Sequence, residues 1–263
     1  MLVLLPPSEA KRPGGDGPAL GRRPVLSTPG LVAPRRELLA AIRAASRTDR
    51  PGLVAGLRLP ASVAAAALRA DLRAAAAPTM PALQRYAGVL YQAMDPAALP
   101  PAAARRLAAM VVVTSGLWGV VRGADLVPDY RVPAAGRVPG LGVVATHWRA
   151  PLAAAMPALV GDQPVVDLRS TDYLAMWRPG PQLTDQVLQV RVLADPGDGR
   201  APAPVSYHAK WVKGLVARGL ASLPGPPGEP RSALAAVAEA LHLRVLDSAT
   251  PTVQRVDLVG RYP

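Results

Sequence analysis

The sequence predicts a mixed α/β protein in which a central mixed β-sheet is flanked by helices. Short runs at residues 2–5, 110–113 and 165–168 have the length and largely apolar character of buried strands, with a β-branched bias at 110–113. Between them lie longer stretches with apolar residues three and four apart, the spacing of one helix face. Half of the 263 residues are hydrophobic, enough for one buried core, and the length fits a single domain over 1–263. There is no Phe, so aliphatics, Ala and the few Trp and Tyr must fill that core.

The first strand, residues 2–5, is stopped by Pro6 and Pro7. The polar loop at 8–15 then puts Glu9 and Lys11 at the strand's C-terminal end, where open α/β sheets carry ligands. A solvated loop with one local ion pair is the plain alternative. Residues 34–47 read as an amphipathic helix with Pro34 in its first turn and Leu38, Leu39 and Ile42 on one face. Residues 62–77 read as an Ala-rich helix with Ser62 as a candidate N-cap. Residues 85–91 read as a short strand or turn, and 101–110 as a helix leading into the central strand.

The chain is organised around residues 114–131, TSGLWGVVRGADLVPDYR. Gly116 and Gly119 bracket a tight turn and would let another backbone, or a phosphate, come close. Arg122, Asp125, Tyr130 and Arg131 follow, as a rigid strand end presents a binding loop. The alternative is a corner in which Arg122 and Asp125 pair with each other.

Gly140-Leu141-Gly142-x-x-Ala145 formally fits a dinucleotide pattern, but Pro133 and Pro139 stand where that pattern needs a strand. The same letters fit the hairpin of a helix-hairpin-helix module. Residues 148–160 continue as a helix that Pro151 and Pro157 should disturb. Residues 165–168 form a strand followed by Ser170, Thr171 and Asp172 as N-cap candidates, a potential anion site that Asp172 opposes unless its carboxylate is the cap. Residues 189–194 and 204–207 flank Asp-Pro-Gly-Asp-Gly as a hairpin, and 220–231 is a Pro/Gly linker. A final helix at 232–241 and strands at 244–246 and 253–259 close the chain.

The helix over 207–220, YHAKWVKGLVARGL, carries the second basic stretch. Trp211, Val212, Leu215, Val216 and Leu220 fall on one arc, and Lys210, Lys213 and Arg218 on the opposite one. Gly214 costs a helix interior about 1 kcal/mol relative to Ala, so something needs close access there. Cations around a small-residue patch suit a phosphate backbone; a wet basic face is the alternative.

The formal charge of +12 and a pI near 11.1 favour polyanionic partners, although a chain rich in Ala, Arg, Pro and Gly can owe basicity to codon usage. Of 30 Lys plus Arg only Lys11, Lys210 and Lys213 are lysine, marking positions that need a compact ammonium. The absence of Cys excludes disulfides, thiolate catalysis and Cys-ligated metals. There is no phosphate-binding G-x-x-x-x-G-K-[ST] and no G-x-S-x-G around Ser115, and His147, His208 and His242 lack metal-ligand spacing. No cofactor or metal is expected. The N-terminal apolar run is too short for a signal peptide, and polar residues and glycines break up 107–121, so a soluble cytoplasmic protein without membrane contact is expected. A catalytic cluster of Glu9, Lys11, Asp125, Tyr130 and Asp172 forms only if the fold gathers them.

Four stretches, PPSEAKRPGG, SGLWGVVRGADLVPDYR, VVDLRSTDYL and SYHAKWVKGLVARGL, resemble in that order the YaaA family of peroxide stress proteins. The resemblance implies a cytosolic protein of unusual mixed α/β fold with a broad basic cleft. It also implies limitation of DNA damage and free iron under hydrogen peroxide, and binding of duplex and branched DNA through a helix-hairpin-helix-like element. Lys11, Gly116, Gly119, Arg122, Asp125, Tyr130, Arg131, Asp172, Tyr173, Lys210 and Gly214 fall on the family pattern. Gly123 stands where the family has Pro, and Val132-Pro133-Ala134 replaces Leu-Glu-Met, which removes an acidic group. Residues 116–119, 140–145 and the Lys210 helix are the candidates for the helix-hairpin-helix.

The expected function is therefore DNA binding in which Lys11, Arg122, Arg131, Lys210, Lys213 and Arg218 line one groove. Glu9, Asp125, Tyr130, Asp172, Tyr173, Gly116, Gly119 and Gly214 would support it, with Trp118 or Trp211 stacking on bases where strands are open. The alternative is an enzyme on a nucleic acid or phosphorylated metabolite, with Lys11 as base or nucleophile oriented by Asp125 or Asp172. No ligand cluster in the sequence supports direct iron sequestration.

Overall fold

The computed structural model describes residues 1–21, 26–225, 228–248 and 253–262. In chain order the elements are β1 (Leu2–Leu5), α1 (Val32–Thr48), α2 (Arg50–Gly56), α3 (Ala61–Arg73), β2 (Met80–Pro81), α4 (Ala82–Arg85), α5 (Val89–Met94) and α6 (Pro101–Met110). Then come β3 (Val111–Ser115), β4 (Gly119–Arg122), β5 (Leu126–Val127), β6 (Arg137–Val138), β7 (Gly142–Val143), α7 (Val144–Val160), β8 (Val165–Asp167) and α8 (Thr171–Leu174). The chain ends with β9 (Val187–Ala194), β10 (Ala203–Pro204), α9 (Tyr207–Ser222), α10 (Pro230–Ala240), β11 (Arg244–Asp247) and β12 (Gln254–Gly260).

An eight-stranded mixed sheet has the order β11-β12-β9-β8-β1-β3-β4, with β10 added beside β9. From β12 to β3 the neighbours run parallel, and β11 and β4 are antiparallel edges. β1 and β3 are buried along their whole length, which is why Leu2–Leu5 and Val111–Val113 read as unbroken apolar runs rather than alternating ones, with the buried Thr114 and Ser115 ending β3. From β1 the chain reaches β3 on one side, then returns to β8 on the other. The strand order therefore reverses between β1 and β8, the place where open α/β sheets leave a crevice beyond their carboxyl ends.

The helices flank this sheet: α5, α6 and α10 pack on α9, and α2, α3 and α7 on α1. Helix α7 runs unbroken through Pro151 and Pro157. The hydrogen bonds lost there are offset by burial of Trp148, Leu152, Met156 and Val160. Two local expectations change. Ser62 lies inside the first turn of α3, whose N-cap is Pro60. Residues 85–91 are neither strand nor plain turn: α4 ends at Arg85, Tyr86 makes an isolated bridge to Lys11, and α5 begins at Val89. The linker's Pro226 and Pro227 lie outside the described residues.

Candidate functional site

The loop after β1 is held from several sides. The Tyr91 hydroxyl donates to the Pro6 carbonyl at 2.8 Å, and Gly88 admits the Ser8 side chain to a place that a Cβ would fill. The buried Arg85 guanidinium donates to the carbonyls of Arg12, Gly14 at 2.8 Å and Val127 at 3.1 Å. Between these anchors the partly buried Lys11 donates from Nζ to the Ser8 carbonyl at 2.9 Å. Its ammonium stands 4.2 Å from the centre of the Tyr130 ring and 5.6 Å from that of Tyr86.

Burial pulls the Lys11 amine down to about 8, against the upward pull of Asp129 and Asp71. Beneath it, three buried hydroxyls form a chain. Ser115 Oγ is 2.6 Å from the Tyr130 hydroxyl, which is 2.7 Å from that of Tyr86. Burial pushes both phenols up, so they stay protonated.

Asp71, from α3, completes this corner and escaped the sequence reading. It is fully buried, its Oδ1 accepts from the Arg131 backbone N–H at 2.6 Å, and its Oδ2 has no hydrogen-bond partner among the described residues. Burial pushes its carboxyl up to about 7. The available signal was a carboxylate between Leu68 and Leu72 on the apolar face of a helix. The Arg131 guanidinium in turn pairs with Glu9, tying the two loops together.

Beyond the carboxyl ends of β1 and β8 lies a cavity of about 870 Å³. Its walls include Glu9 and Ala10 after β1, Arg169, Asp172 and Tyr173 after β8, Arg191 on β9, Arg255 on β12, and Lys210 and Lys213 on α9. Three of the cations are engaged. Arg169 is bidentate to buried Asp167 at 2.9 and 2.7 Å and lies over the Trp177 ring. Arg191 pairs with Asp257, and Arg255 donates to Gln189 at 2.9 Å. Lys213 Nζ donates to the Arg169 carbonyl at 2.9 Å, and burial draws its amine down to about 8. Among the described residues no carboxylate forms an ion pair with Lys210 or Lys213.

Of the residues expected to line one groove, Lys210 and Lys213 line this cavity, and Lys11 and Arg131 adjoin it through Glu9. Arg122 and Arg218 do not. Arg122 ends the edge strand β4, where its backbone N–H donates to Asp125 at 2.9 Å; the same carboxylate also binds Ser27. Arg218 donates to the carbonyls of Met94 at 3.1 Å and Asp95 at 2.8 Å, closing the end of α5. Trp118 is fully buried, so of the two expected stacking residues only Trp211 is exposed.

The glycines give close approach to this chain itself. A Cβ on Gly116 would lie 2.0 Å from the Val132 carbonyl, one on Gly119 2.7 Å from the Trp148 ring, and one on Gly214 2.1 Å from the Leu90 carbonyl in α5. None of the three helix-hairpin-helix candidates is a hairpin between two helices. Residues 116–119 turn β3 into β4, and 140–145 join the β6–β7 hairpin to α7. The first amides of α7 are already taken, by the Gly136 and Ala134 carbonyls.

The sequence profile described as "Peroxide stress protein YaaA" matches residues 1–223. The chain belongs to this family. A UPF0246 protein of Streptomyces coelicolor is 40% identical over 236 residues, covering 88% of this chain and 86% of its own. One of Corynebacterium efficiens is 39% identical over 232 residues, covering 85% and 86%. One of Corynebacterium glutamicum is 36% identical over 225 residues, covering 84% and 85%. In this YaaA family member, β11, β12 and α10 lie beyond the matched span. No single helix among the described residues is long and apolar enough to cross a membrane, and no three His, Asp or Glu among them come together as a metal-holding group.

Proposed function

We propose that this YaaA family protein binds DNA, with backbone phosphates at the cavity beyond β1 and β8, and acts in peroxide stress by protecting DNA. The observation that carries this reading is the pair Lys210 and Lys213, set on one helix against the cavity with no carboxylate partner. Arg191 and Arg255 stand nearby, in a chain of net charge +12. Such cations position a phosphate backbone without reading sequence. Lys11 and Arg131, both bonded to Glu9 on the cavity wall, would extend the same rim. The test is anisotropy of labelled duplex and branched DNA over a salt series. Affinity should fall by about 0.9 log units per log salt for each phosphate contacted. Affinity that is independent of salt, or no binding at low salt, contradicts the proposal.

The environment of Lys11 favours a second reading, in which its amine is a base or nucleophile. It stands against two tyrosine rings, is drawn down to about 8, and has the buried Asp71 carboxyl nearby. In the nucleophilic form the amine attacks an aldehyde carbon, water leaves, and borohydride reduces the imine to a stable secondary amine. Trapping of a small phosphorylated aldehyde at Lys11, lost in Lys11→Met, supports this reading. Labelling spread over all three lysines removes it.

A further inference from the structure

Helix α9 separates two concavities. Lys210 and Lys213 face the large cavity, and Trp211 and Leu215 line a second one of about 650 Å³ together with Arg244, Arg261 and Tyr262. We propose that this second concavity is a stacking site for an unpaired nucleobase, so that the nucleic acid is single-stranded or locally opened where it crosses α9. The inference rests on the nucleic-acid reading above and names the form of the partner.

The distribution of aromatic rings carries the argument. The chain has four Trp, six Tyr and no Phe. Trp118, Trp148 and Trp177 are buried, whereas Trp211 is 41% exposed and Tyr207, one turn earlier on the same helix, is 60% exposed. A soluble protein that buries nearly all of its aromatic surface but leaves two rings on one helical turn is presenting them. His208 stacks on Tyr262 at 5.1 Å and 10°, extending the aromatic surface towards the second concavity.

The charges complement a polyanion. Arg244 is paired with Asp195, while Arg261 has no ion-pair partner among the described residues. Lys210 and Trp211 are consecutive, so the helix turns them about 100° apart. A strand with its phosphate at Lys210 has its base within reach of the Trp211 indole. Base–aromatic stacking of this kind is sequence-tolerant. Trp211 and Leu215 lie within the matched family span, whereas the facing wall, from Leu241 to Arg244 and from Val259 to Tyr262, lies beyond residue 223, so the concavity joins α9 to this chain's C-terminal part.

Because Trp211 is the one exposed indole of four, intrinsic fluorescence reports on the site. The 263-residue chain is titrated with oligo(dT), with duplex DNA of equal length and with inorganic polyphosphate. Oligo(dT) should quench the emission, and duplex and polyphosphate should not. Trp211→Leu should weaken oligo(dT) binding about five- to a hundredfold, read by anisotropy of labelled DNA, with duplex affinity kept within about twofold. Equal quenching by polyphosphate, no quenching, or equal loss for both DNA forms in Trp211→Leu overturns the proposal. Lys210→Ala with Lys213→Ala separates the two ideas. An unchanged salt dependence of duplex binding removes the cavity reading alone, and quenching by oligo(dT) continues to report the stacking site.

Discussion

The ammonium of Lys11 lies over the ring of Tyr130, which is distant along the chain, and is held there by the carbonyl of Ser8 in its own loop. The ring faces favour the cation, while burial favours the free amine and prevails, leaving the group near 8. Between about pH 8 and 10.5 the unfolded chain therefore binds more protons at this position than the folded one. Stability from Lys11 is lowest below pH 8 and recovers as pH rises. Lys11→Met should stabilise the fold at pH 7, and the gain should shrink toward pH 10, measured by denaturant melts at both values.

Asp71 obeys the opposite sign. Its carboxyl is raised to about 7, so the folded chain holds the extra proton between about pH 4 and 7, and the cost of burying the carboxylate is fully present above pH 7. Asp71→Asn keeps an oxygen to accept the Arg131 N–H and removes the charge. It should stabilise the protein by about 2–4 kcal/mol at pH 8 and have little effect at pH 4, read from urea midpoints.

Asp167 and Arg169 form an ion pair with side chains 1% and 0% exposed. Removing one partner leaves a buried charge. Asp167→Ala should cost about 3–5 kcal/mol, whereas an apolar replacement of both residues should cost far less in the same melts.

At Gly214, helix propensity predicts a gain of about 1 kcal/mol for Ala. The structure predicts a loss, because the new Cβ would lie 2.1 Å from the Leu90 carbonyl and 2.8 Å from Ala93 Cβ. Forcing α5 and α9 apart should cost about 1–3 kcal/mol, seen as a lower thermal midpoint.

The buried strands were legible because burial on both faces leaves an aliphatic run that nothing else explains, as in β1, β3 and β8. Residues 85–91 misled for the same reason. Tyr86, Val89 and Tyr91 look strand-like, yet packing of this segment on α9 makes a helix from Val89 onward. Lys11, Lys210 and Lys213 stood out because arginine so dominates the other cations. Asp71 did not, since its partner Arg131 comes from a distant loop. Arg122 and Arg218 were visible as charges, but where they sit depends on tertiary structure: Arg122 ends the edge strand β4, and the Arg218 guanidinium meets carbonyls at the end of α5.

The most direct test of the account is the salt dependence of duplex DNA affinity in the wild-type chain and in Lys210→Ala/Lys213→Ala. If both ammonium groups neutralise phosphates, the double variant should fold cooperatively with wild-type secondary structure and show a log–log slope shallower by about 1.8, twice the contribution of one contact. A double variant that folds normally and keeps the wild-type slope would place the DNA elsewhere on the molecule and contradict the cavity as its binding site.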